Sequence, residues 1–467
     1  MTTVAPFGTW DSPISAADTV SGLVAFAELA ADGDRLYWLE MRPSEGGRQV
    51  LVHRTASGEI VDLTPPPAHP RTLVHEYGGG ALTVGHGDVV YSEFSDQRLY
   101  RLGPDGPSAV TPEPPRPRSV RYADGRILPD GRMVCVRETH PEDGEATNEL
   151  VIVTLDTGAI DVIASGRDFY SSPRPNVDGS ELAWVEWDHP NMPWDGTELR
   201  PAALGPDGLG TATLVAGGDA ESVMDPQWDP ESRLVFISDR TGYWNLYRHD
   251  EDVAVPLLGR DFDHASPPWT FGRNSYGFLS GGRIVTGAWE DGVHRLGVLG
   301  ADGAYSPLPD DLAEHARITT DGQSTVWFVA LGATTPMSIV ELNVDTGERT
   351  VVRGNAEAAP VAYHSEPEIV TFPTGDDDIA HGVYYPPTNP DFSAPDGELP
   401  PLIVKVHGGP TSHVFPRLTD QYLFWTSRGF GIVDVNYRGS TGYGREFRGK
   451  LNLNWGVVDV EDCLAAA

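Results

Sequence analysis

The sequence is poor in cysteine and has no long apolar run. Its 467 residues include only two cysteines, Cys135 and Cys463, and two distant thiols make neither a disulfide framework nor a zinc site. No segment approaches the length of a membrane-spanning helix, and the N-terminus lacks the basic and apolar regions of a secretion signal. We therefore expect a soluble, cytoplasmic protein with no membrane partner.

Basic residues are also scarce relative to acidic ones. The chain has 33 Lys and Arg against 68 Asp and Glu, a net charge of −35, and Lys405 and Lys450 are its only lysines. A negative field of this size repels nucleic acid and anionic lipid. The sequence contains neither a Walker loop nor a dinucleotide-binding glycine motif. We therefore expect no nucleic-acid partner, no cofactor and no metal.

A turn-and-strand unit recurs through most of the chain. A turn, usually Asp-Gly or Gly-Gly, precedes an apolar alternating run near seven positions: 33, 87, 131, 179, 231, 282 and 322. The mean spacing of about 48 residues is the length of one four-stranded propeller blade. Seven stacked blades can bury faces that one blade cannot. The pattern favours a seven-bladed β-propeller over residues 26–365, after an N-terminal segment 1–25; the alternative is a pair of β-sandwiches.

The pattern changes near residue 360. Residues 367–387 resemble two antiparallel strands, followed by the strand "LIVKV", a helical run over 418–429 and a strand over 430–437. Strand–helix–strand order with short apolar strands is typical of a parallel sheet. The sequence predicts the N-terminal part of an α/β domain over residues 366–467, which is shorter than the roughly 200–250 residues of a complete one.

The stretch "VKVHGGPTSHVF", residues 404–415, places two glycines directly after an apolar strand. Glycine has no Cβ, so nearby backbone N–H groups can approach a ligand. The α/β-hydrolases build an oxyanion hole from such a loop. We predict an oxyanion hole at His407, Gly408 and Gly409, with the Gly409 N–H as the donor. A simple tight turn is the alternative, and an orienting or packing role for His407 stays open.

Several motifs together resemble the prolyl oligopeptidase family of serine peptidases, in its bacterial branch of acylaminoacyl and dipeptidyl-peptidase-like enzymes. The matching stretches extend along nearly the whole chain: "LVHEYGGGA" (73–81), "EWDHPNMPWDGTEL" (186–199), "FISDRTGYWNLY" (236–247), "VHGGP" (406–410), "DVNYRGSTGYGREFR" (434–448) and "WGVVDVEDC" (455–463). "HGGP" alone is only moderately specific, whereas the order and combination are highly specific.

The resemblance implies an α/β-hydrolase domain set against the propeller, with the active site between them and the propeller acting as a size filter. The family's nucleophile elbow is Gly-x-Ser-x-Gly, and this sequence contains none. We therefore predict that the nucleophile, the acid and the histidine of the triad lie beyond Ala467. The full-length protein is predicted to hydrolyse short peptides by acyl transfer, and this chain alone is predicted to be inactive.

Four residues are candidates for substrate binding. Tyr437, Arg438 and Tyr443 fill the loop after the second hydrolase strand, at the edge where α/β sheets bind ligands. Glu76, in the propeller motif "HEYGGG", could hold a peptide's free amine. Loop packing is the alternative for the first three, and a purely structural glutamate is the alternative for Glu76.

Two other functions remain open from the sequence. The chain could be a non-catalytic propeller binding module from a split gene, or part of an α/β-hydrolase esterase, against which the seven blades argue. The expected partner is a short peptide, and the sequence is compatible with a homo-oligomer. It does not distinguish acylaminoacyl, dipeptidyl and internal peptide bonds as substrates.

Overall fold

Seven antiparallel sheets follow one another along the chain, each built from consecutive strands. The structure is a computed structural model that describes residues 2–20, 23–55, 57–206, 208–355 and 359–467. The predicted seven-bladed propeller is confirmed, and so is the start of an α/β domain after it.

The first strand, β1 (Thr3–Val4), precedes the ring. Blades 1 to 4 comprise the next 17 strands. Blade 1 contains β2 (Ala25–Asp32), β3 (Arg35–Arg42), β4 (Arg48–Arg54) and β5 (Ile60–Asp62). Blade 2 contains β6 (Leu82–Gly85), β7 (Asp88–Ser92), β8 (Leu99–Gly103) and β9 (Gly106–Ala109). Blade 3 contains β10 (Val120–Ile127), β11 (Arg132–Thr139), β12 (Thr147–Thr154) and β13 (Ile160–Ala164). Blade 4 contains β14 (Phe169–Pro175), β15 (Glu181–Trp187), β16 (Thr197–Gly205), β17 (Gly208–Leu209) and β18 (Ala216–Gly218).

Blades 5 to 7 complete the ring with four strands each. Blade 5 contains β19 (Val223–Trp228), β20 (Leu234–Ser238), β21 (Asn245–Asp250) and β22 (Val253–Pro256). Blade 6 contains β23 (Tyr276–Leu279), β24 (Arg283–Glu290), β25 (Val293–Leu299) and β26 (Tyr305–Pro307). Blade 7 contains β27 (Glu314–Thr320), β28 (Thr325–Leu331), β29 (Ser338–Asn343) and β30 (Arg349–Gly354). The seven predicted turns all lie between the first and second strands of their blades.

The propeller core is divided among the gaps between neighbouring blades. Seven hydrophobic clusters fill the seven gaps, so each blade buries one face against the blade before it and one against the blade after it. The gap between blades 7 and 1, for example, holds Trp38 and Trp327. Because both faces of each blade are covered, inner strands such as β3 and β11 are buried along continuous runs and do not alternate as the sequence pattern suggests.

The ring closes between blade 7 and blade 1 by side-chain contacts, since these two blades share no strand. The Asn355 amide accepts from Val24 N–H and donates to Val24 C=O, both at 2.8 Å. Arg353 of blade 7 also pairs with the buried Glu40 of blade 1 at 2.8 Å. The two ends of the propeller therefore lie next to each other.

The α/β part forms a four-stranded mixed sheet in the order β31-β32-β35-β34. Its strands are β31 (Glu368–Pro373), β32 (Ile379–Tyr385), β34 (Leu402–Val406) and β35 (Gly431–Asn436), and β33 (Phe392–Ser393) lies outside this sheet. Three helices accompany it: α1 (Asp420–Thr426), α2 (Gly444–Gly449) and α3 (Val458–Ala466). Short 3₁₀ turns occur at Asp18–Val20, Pro43–Glu45, Ser280–Gly282, Val361–Tyr363 and Gly375–Asp377. β34 and β35 are parallel, as the strand–helix–strand pattern predicts.

The residues before the propeller pack on the α/β part. β1 pairs in parallel with β33, and the indole of Trp10 stacks near Phe392 at 6.4 Å. Ser12 bonds Ser427 at 2.7 Å. The chain thus begins in the α/β part, passes through the propeller and returns. The division into 1–25, 26–365 and 366–467 stays a prediction, and residues 1, 21, 22, 56, 207 and 356–358 of those ranges lie outside the described residues.

None of the helices in the described ranges has the length and apolar character needed to cross a bilayer.

Buried histidines make the stability of the fold depend on pH. Burial lowers the pKa of His264, which has no exposed surface, to about 3. The unfolded chain binds this proton near pH 6.5, so the folded state loses stability as the pH falls below that value. Buried carboxylates act in the opposite direction, as for Asp225, whose pKa burial raises to about 6. The pH dependence of the wild type alone sums both kinds of group. The test therefore compares the pH dependence of a histidine variant with that of the wild type.

We expect His264→Gln to lose less unfolding free energy than the wild type between pH 7 and pH 5, by roughly 2 kcal/mol. Denaturant unfolding at the two pH values measures the difference. His86→Gln is the control, because His86 is exposed and the same substitution there removes an imidazole that is not in the core. Identical pH dependence in His264→Gln and wild type would contradict a histidine that is held neutral.

Candidate active site

Two loops leave the sheet at one edge, because β34 and β35 are parallel neighbours. The first loop begins at His407, directly after β34, and contains the two glycines; we call it the glycine loop (407–410). The second, residues 437–444, follows β35 and leads into α2. The structure therefore places His407, Gly408, Gly409, Tyr437, Arg438 and Tyr443 at the same edge of the sheet.

The glycine loop presents free backbone donors. Gly408 and Gly409 are both exposed, and neither N–H meets an acceptor among the described residues. A Cβ added to Gly409 would lie 2.7 Å from the Trp455 ring, whereas one added to Gly408 would meet nothing within 4 Å. The close approach of Trp455 is thus a steric reason for glycine at 409.

The imidazole of His407 is held on both nitrogens. Nδ1 lies 2.8 Å from the Gly408 carbonyl oxygen, which can only accept, so this nitrogen carries the proton. Nε2 lies 2.7 Å from the Ser440 hydroxyl, and the ring stacks on Tyr437 with centroids 4.4 Å apart. Burial lowers the pKa of His407, which favours the neutral ring that this arrangement needs.

The Ser440–His407 contact has the form of a nucleophile beside a base, but the surroundings do not suit that role. The side chain of Ser440 is fully buried. Its single hydroxyl proton is shared between two acceptors, the unprotonated Nε2 of His407 at 2.7 Å and the Tyr437 carbonyl oxygen at 2.8 Å. A substrate carbonyl has no access to this oxygen, so the contact positions His407.

The loop after β35 is tied to the helices that follow it. Tyr437 is buried, and burial raises its pKa to about 12. The Arg438 guanidinium pairs with Asp462 and Glu461 of α3 at 3.0 and 2.9 Å. Tyr443 stacks on His381 at 4.1 Å, and its hydroxyl accepts from Asn436 at 3.1 Å. Their substrate roles stay predictions; what the contacts describe is a packed loop.

Glu76 lies apart from these loops, in the segment between blades 1 and 2. It is exposed and accepts from Arg121 of blade 3 at 2.8 Å. Glu76, Glu138 and His140 offer ligand atoms within 4.8 Å of one another, a spacing that could hold a cation. Arg121 also donates to Glu138 at 3.0 Å. A guanidinium thus already supplies positive charge to both carboxylates, and the substrate role of Glu76 stays a prediction.

Buried carboxylates of the propeller hold the loop 437–444 and α2. Asp263 Oδ2 accepts from the N–H groups of Gly442 and Gly444, each at 3.1 Å, while its Oδ1 accepts from Trp244 N–H at 2.9 Å. Asp239 accepts from Arg445 and Arg448, both at 2.6 Å. Both aspartates are almost fully buried, so the α/β part is docked through desolvated polar contacts.

An aromatic cavity of about 220 Å³ opens in the propeller. Its walls include Tyr77, Phe169, Trp187, Trp194, Trp269 and Phe271. The Trp269 indole donates to the Thr411 carbonyl oxygen at 2.8 Å, two residues after Gly409, and so joins a wall of the cavity to the α/β part.

Sequence reasoning missed Asp263, Asp239 and Trp269. Asp263 is 179 residues from Gly442, so no local pattern joins them. The one usable signal is in the glycines of "STGYG", since a Cβ at Gly442 or Gly444 would lie 2.7 Å from His413 or Tyr243. Such spacing indicates a close approach without identifying the partner.

Comparisons with known proteins agree with this arrangement. The model of the prolyl oligopeptidase family matches residues 416–467. A puromycin-hydrolyzing peptidase of Mycobacterium tuberculosis is 38% identical, with a TM-score of 0.94 over 99% of this chain and 74% of its own. A puromycin hydrolase structure gives 36% identity with the same TM-score and coverage.

A curated relative, dipeptidyl-peptidase 5 of Aspergillus fumigatus, is 24% identical over 82% of this chain and 48% of its own length. The chain thus spans about half the length of this relative.

The docking contact of Asp263 can be tested by substitution. Asp263→Ala leaves the N–H groups of Gly442 and Gly444 without an acceptor, at a cost of roughly 1–3 kcal/mol for each buried donor. We expect amide hydrogen exchange over 437–449 to accelerate at least about tenfold. Exchange mass spectrometry measures it, with the exposed Asp261→Ala as the control. Unchanged exchange in Asp263→Ala would contradict a docking role.

Proposed function

Because the chain belongs to the prolyl oligopeptidase family, we propose that it is part of a serine-type peptidase that hydrolyses short peptides by acyl transfer. The observation that carries the proposal is the pair of N–H groups at Gly408 and Gly409 that meet no acceptor among the described residues, in a loop followed by Thr411, which Trp269 of the aromatic cavity binds. The activity belongs to a protein that also supplies the nucleophile and its base, since this sequence has no Gly-x-Ser-x-Gly.

The Gly409 N–H is the proposed donor to the oxyanion. Attack on a peptide carbonyl places negative charge on its oxygen, and preorganised donors stabilise that charge without reorganisation. The Gly408 carbonyl and the Gly409 N–H belong to one trans peptide unit and point in opposite directions. His407 binds this carbonyl at 2.8 Å. His407 is therefore proposed as a positioning residue that directs the Gly409 N–H away from itself and toward the substrate.

Ser440 and Tyr437 support this arrangement. The Ser440 hydroxyl and the Tyr437 ring restrain the imidazole from two sides. In this proposal Arg438 acts in the same indirect way, because its pairs with α3 fix the start of the loop that holds Ser440. The edge of the sheet is thereby rigid before a substrate arrives.

The propeller limits the substrate to short peptides. The aromatic cavity of about 220 Å³ admits a few side chains at most, and the bonds of Asp239 and Asp263 close the adjoining part of the interface. In this proposal a folded protein is too large to enter the cavity, and this is the basis of the size filter. An esterase would need no such filter, so the peptidase is the preferred reaction.

The first test compares the chain with a longer product of its gene. We expect pure 1–467 neither to hydrolyse aminoacyl or peptidyl esters nor to react with a serine-directed fluorophosphonate. A product that continues through a Gly-x-Ser-x-Gly segment should do both. Labelling of 1–467 at one equivalent would contradict the assignment. So would an inert, folded longer product, and Ser440→Ala would show whether Ser440 carries any label.

A second test removes the proposed donor in the active longer protein. Gly409→Pro deletes the N–H and should lower kcat by roughly 10²–10³. Gly409→Ala is the matched control, since it keeps the N–H; its Cβ requires the exposed Trp455 ring, 2.7 Å away, to move and lies 3.3 Å from the Tyr437 hydroxyl. We expect Ala to retain most of the rate that Pro loses. Equal rates for wild type and a folded Gly409→Pro would remove this N–H from the oxyanion hole.

A further inference from the structure

Two arginines in the central tunnel form no ion pair with any carboxylate in the described part of the chain. Arg317 lies at the bulge of β27, with φ 59, and its Nη1 is buried without a hydrogen-bond partner. The only side-chain bond of Arg273, within the described part of the chain, is to the Thr270 hydroxyl at 3.2 Å. The Arg273 side chain is exposed to solvent, and the charge of the neighbouring Arg317 acts on it. The two guanidiniums thus remain charged at neutral pH, although they repel each other.

Most carboxylates around them are already engaged. Glu28 accepts from two backbone N–H groups of blade 2, at 2.9 and 3.0 Å. Asp124 pairs with Arg174 at 3.0 Å, and Asp225 accepts from Ser275 N–H at 2.6 Å. Glu314 lines the same cavity as the two arginines and acts electrostatically on both, and Glu28 acts on Arg317, but neither carboxylate forms an ion pair with them among the described residues. The N–H donors of the two guanidiniums are therefore left available to an added acceptor.

The arginines lie along a continuous passage. A second, polar cavity of about 210 Å³ contains both Arg273 and Arg317. It shares Ser266, Arg273 and Ser275 with the aromatic cavity, so the two cavities meet at Arg273. Trp269, another wall of the aromatic cavity, is bonded to Thr411, which follows the glycine loop. A ligand in the aromatic cavity can thus extend to the two guanidiniums through the residues that the two cavities share.

We propose that Arg273 and Arg317 bind the C-terminal carboxylate of a short peptide whose side chains occupy the aromatic cavity. This inference rests on the proposed peptidase function and names its substrate class: short, aromatic or large apolar peptides with a free C-terminus. Guanidinium groups bind carboxylates through paired, charge-assisted hydrogen bonds, which would satisfy the donors that now lack a partner. The anion also relieves the repulsion between the two arginines.

Binding, which needs no nucleophile, tests the site in the 1–467 chain. Isothermal titration calorimetry at pH 7 compares the tripeptide Phe-Gly-Gly with its C-terminal amide. The amide carries a net positive charge and the acid carries none, so the overall field of the protein favours the amide. We expect the acid to bind at least about tenfold more tightly, with a preference that weakens as salt is added. Equal binding, or tighter binding of the amide, overturns the proposal.

Variants then locate the preference. Arg273→Gln and Arg317→Gln should each reduce the acid-to-amide ratio to near one, while Arg273→Lys keeps part of it. Arg295→Gln is the matched control, because Arg295 is an exposed arginine of blade 6 and its loss changes the net charge equally. A ratio that survives both glutamine variants in folded protein overturns the assignment. Inorganic phosphate that binds wild type without competing with Phe-Gly-Gly also overturns it.

Failure of the arginine site and failure of the proposed peptidase function give different results. An inert longer product with an intact acid preference would remove the peptidase reaction and leave a peptide-binding tunnel. An active longer product that hydrolyses peptide acids and amides with equal KM would instead remove the arginine site and leave the reaction.

Discussion

One buried carboxylate, that of Asp263, holds the candidate site together. It accepts hydrogen bonds from blade 5 through Trp244 and from the hydrolase loop through Gly442 and Gly444. A desolvated carboxylate must be satisfied by donors, and backbone N–H groups reach it only where no side chain intervenes. Both loop glycines have positive φ, 93 and 81, which glycine adopts without strain. The sheet edge, and the glycine loop with it, is thereby fixed relative to the propeller.

The ring of blades could be read from the sequence because each blade is local. Its hairpins join consecutive strands through turns at Gly33, Gly87 and their counterparts, and turn chemistry follows from neighbouring residues. The parallel pair β34–β35 followed from strand–helix–strand order for the same reason. The closure through Asn355 and Val24 joins residues 331 positions apart, which no period reveals.

The candidate site was only partly visible in the sequence. Gly408 and Gly409 were identified from their place after an apolar strand, and they do lie at the carboxyl edge of the sheet with free N–H groups. The bond between His407 and Ser440 spans 33 residues, and the pairing of Arg438 with Asp462 depends on how α3 packs. The tunnel charges of Arg273 and Arg317 depend on the path of the backbone through the ring, as at the bulge of β27, and composition gives no sign of them.

The entry and exit of the propeller lie side by side at the contact of Val24 with Asn355, and the segments flanking it both pack on the α/β part: β1 pairs with β33, and Tyr363 bonds Asp391. The propeller is therefore joined to its host by two covalent connections rather than one. Two covalent connections raise the effective concentration of the propeller surface at the surface of the α/β part. A polar contact between them that breaks therefore re-forms within the same molecule. Weak individual bonds can then maintain a well-defined interface that the same surfaces, as separate chains, would lose by dilution.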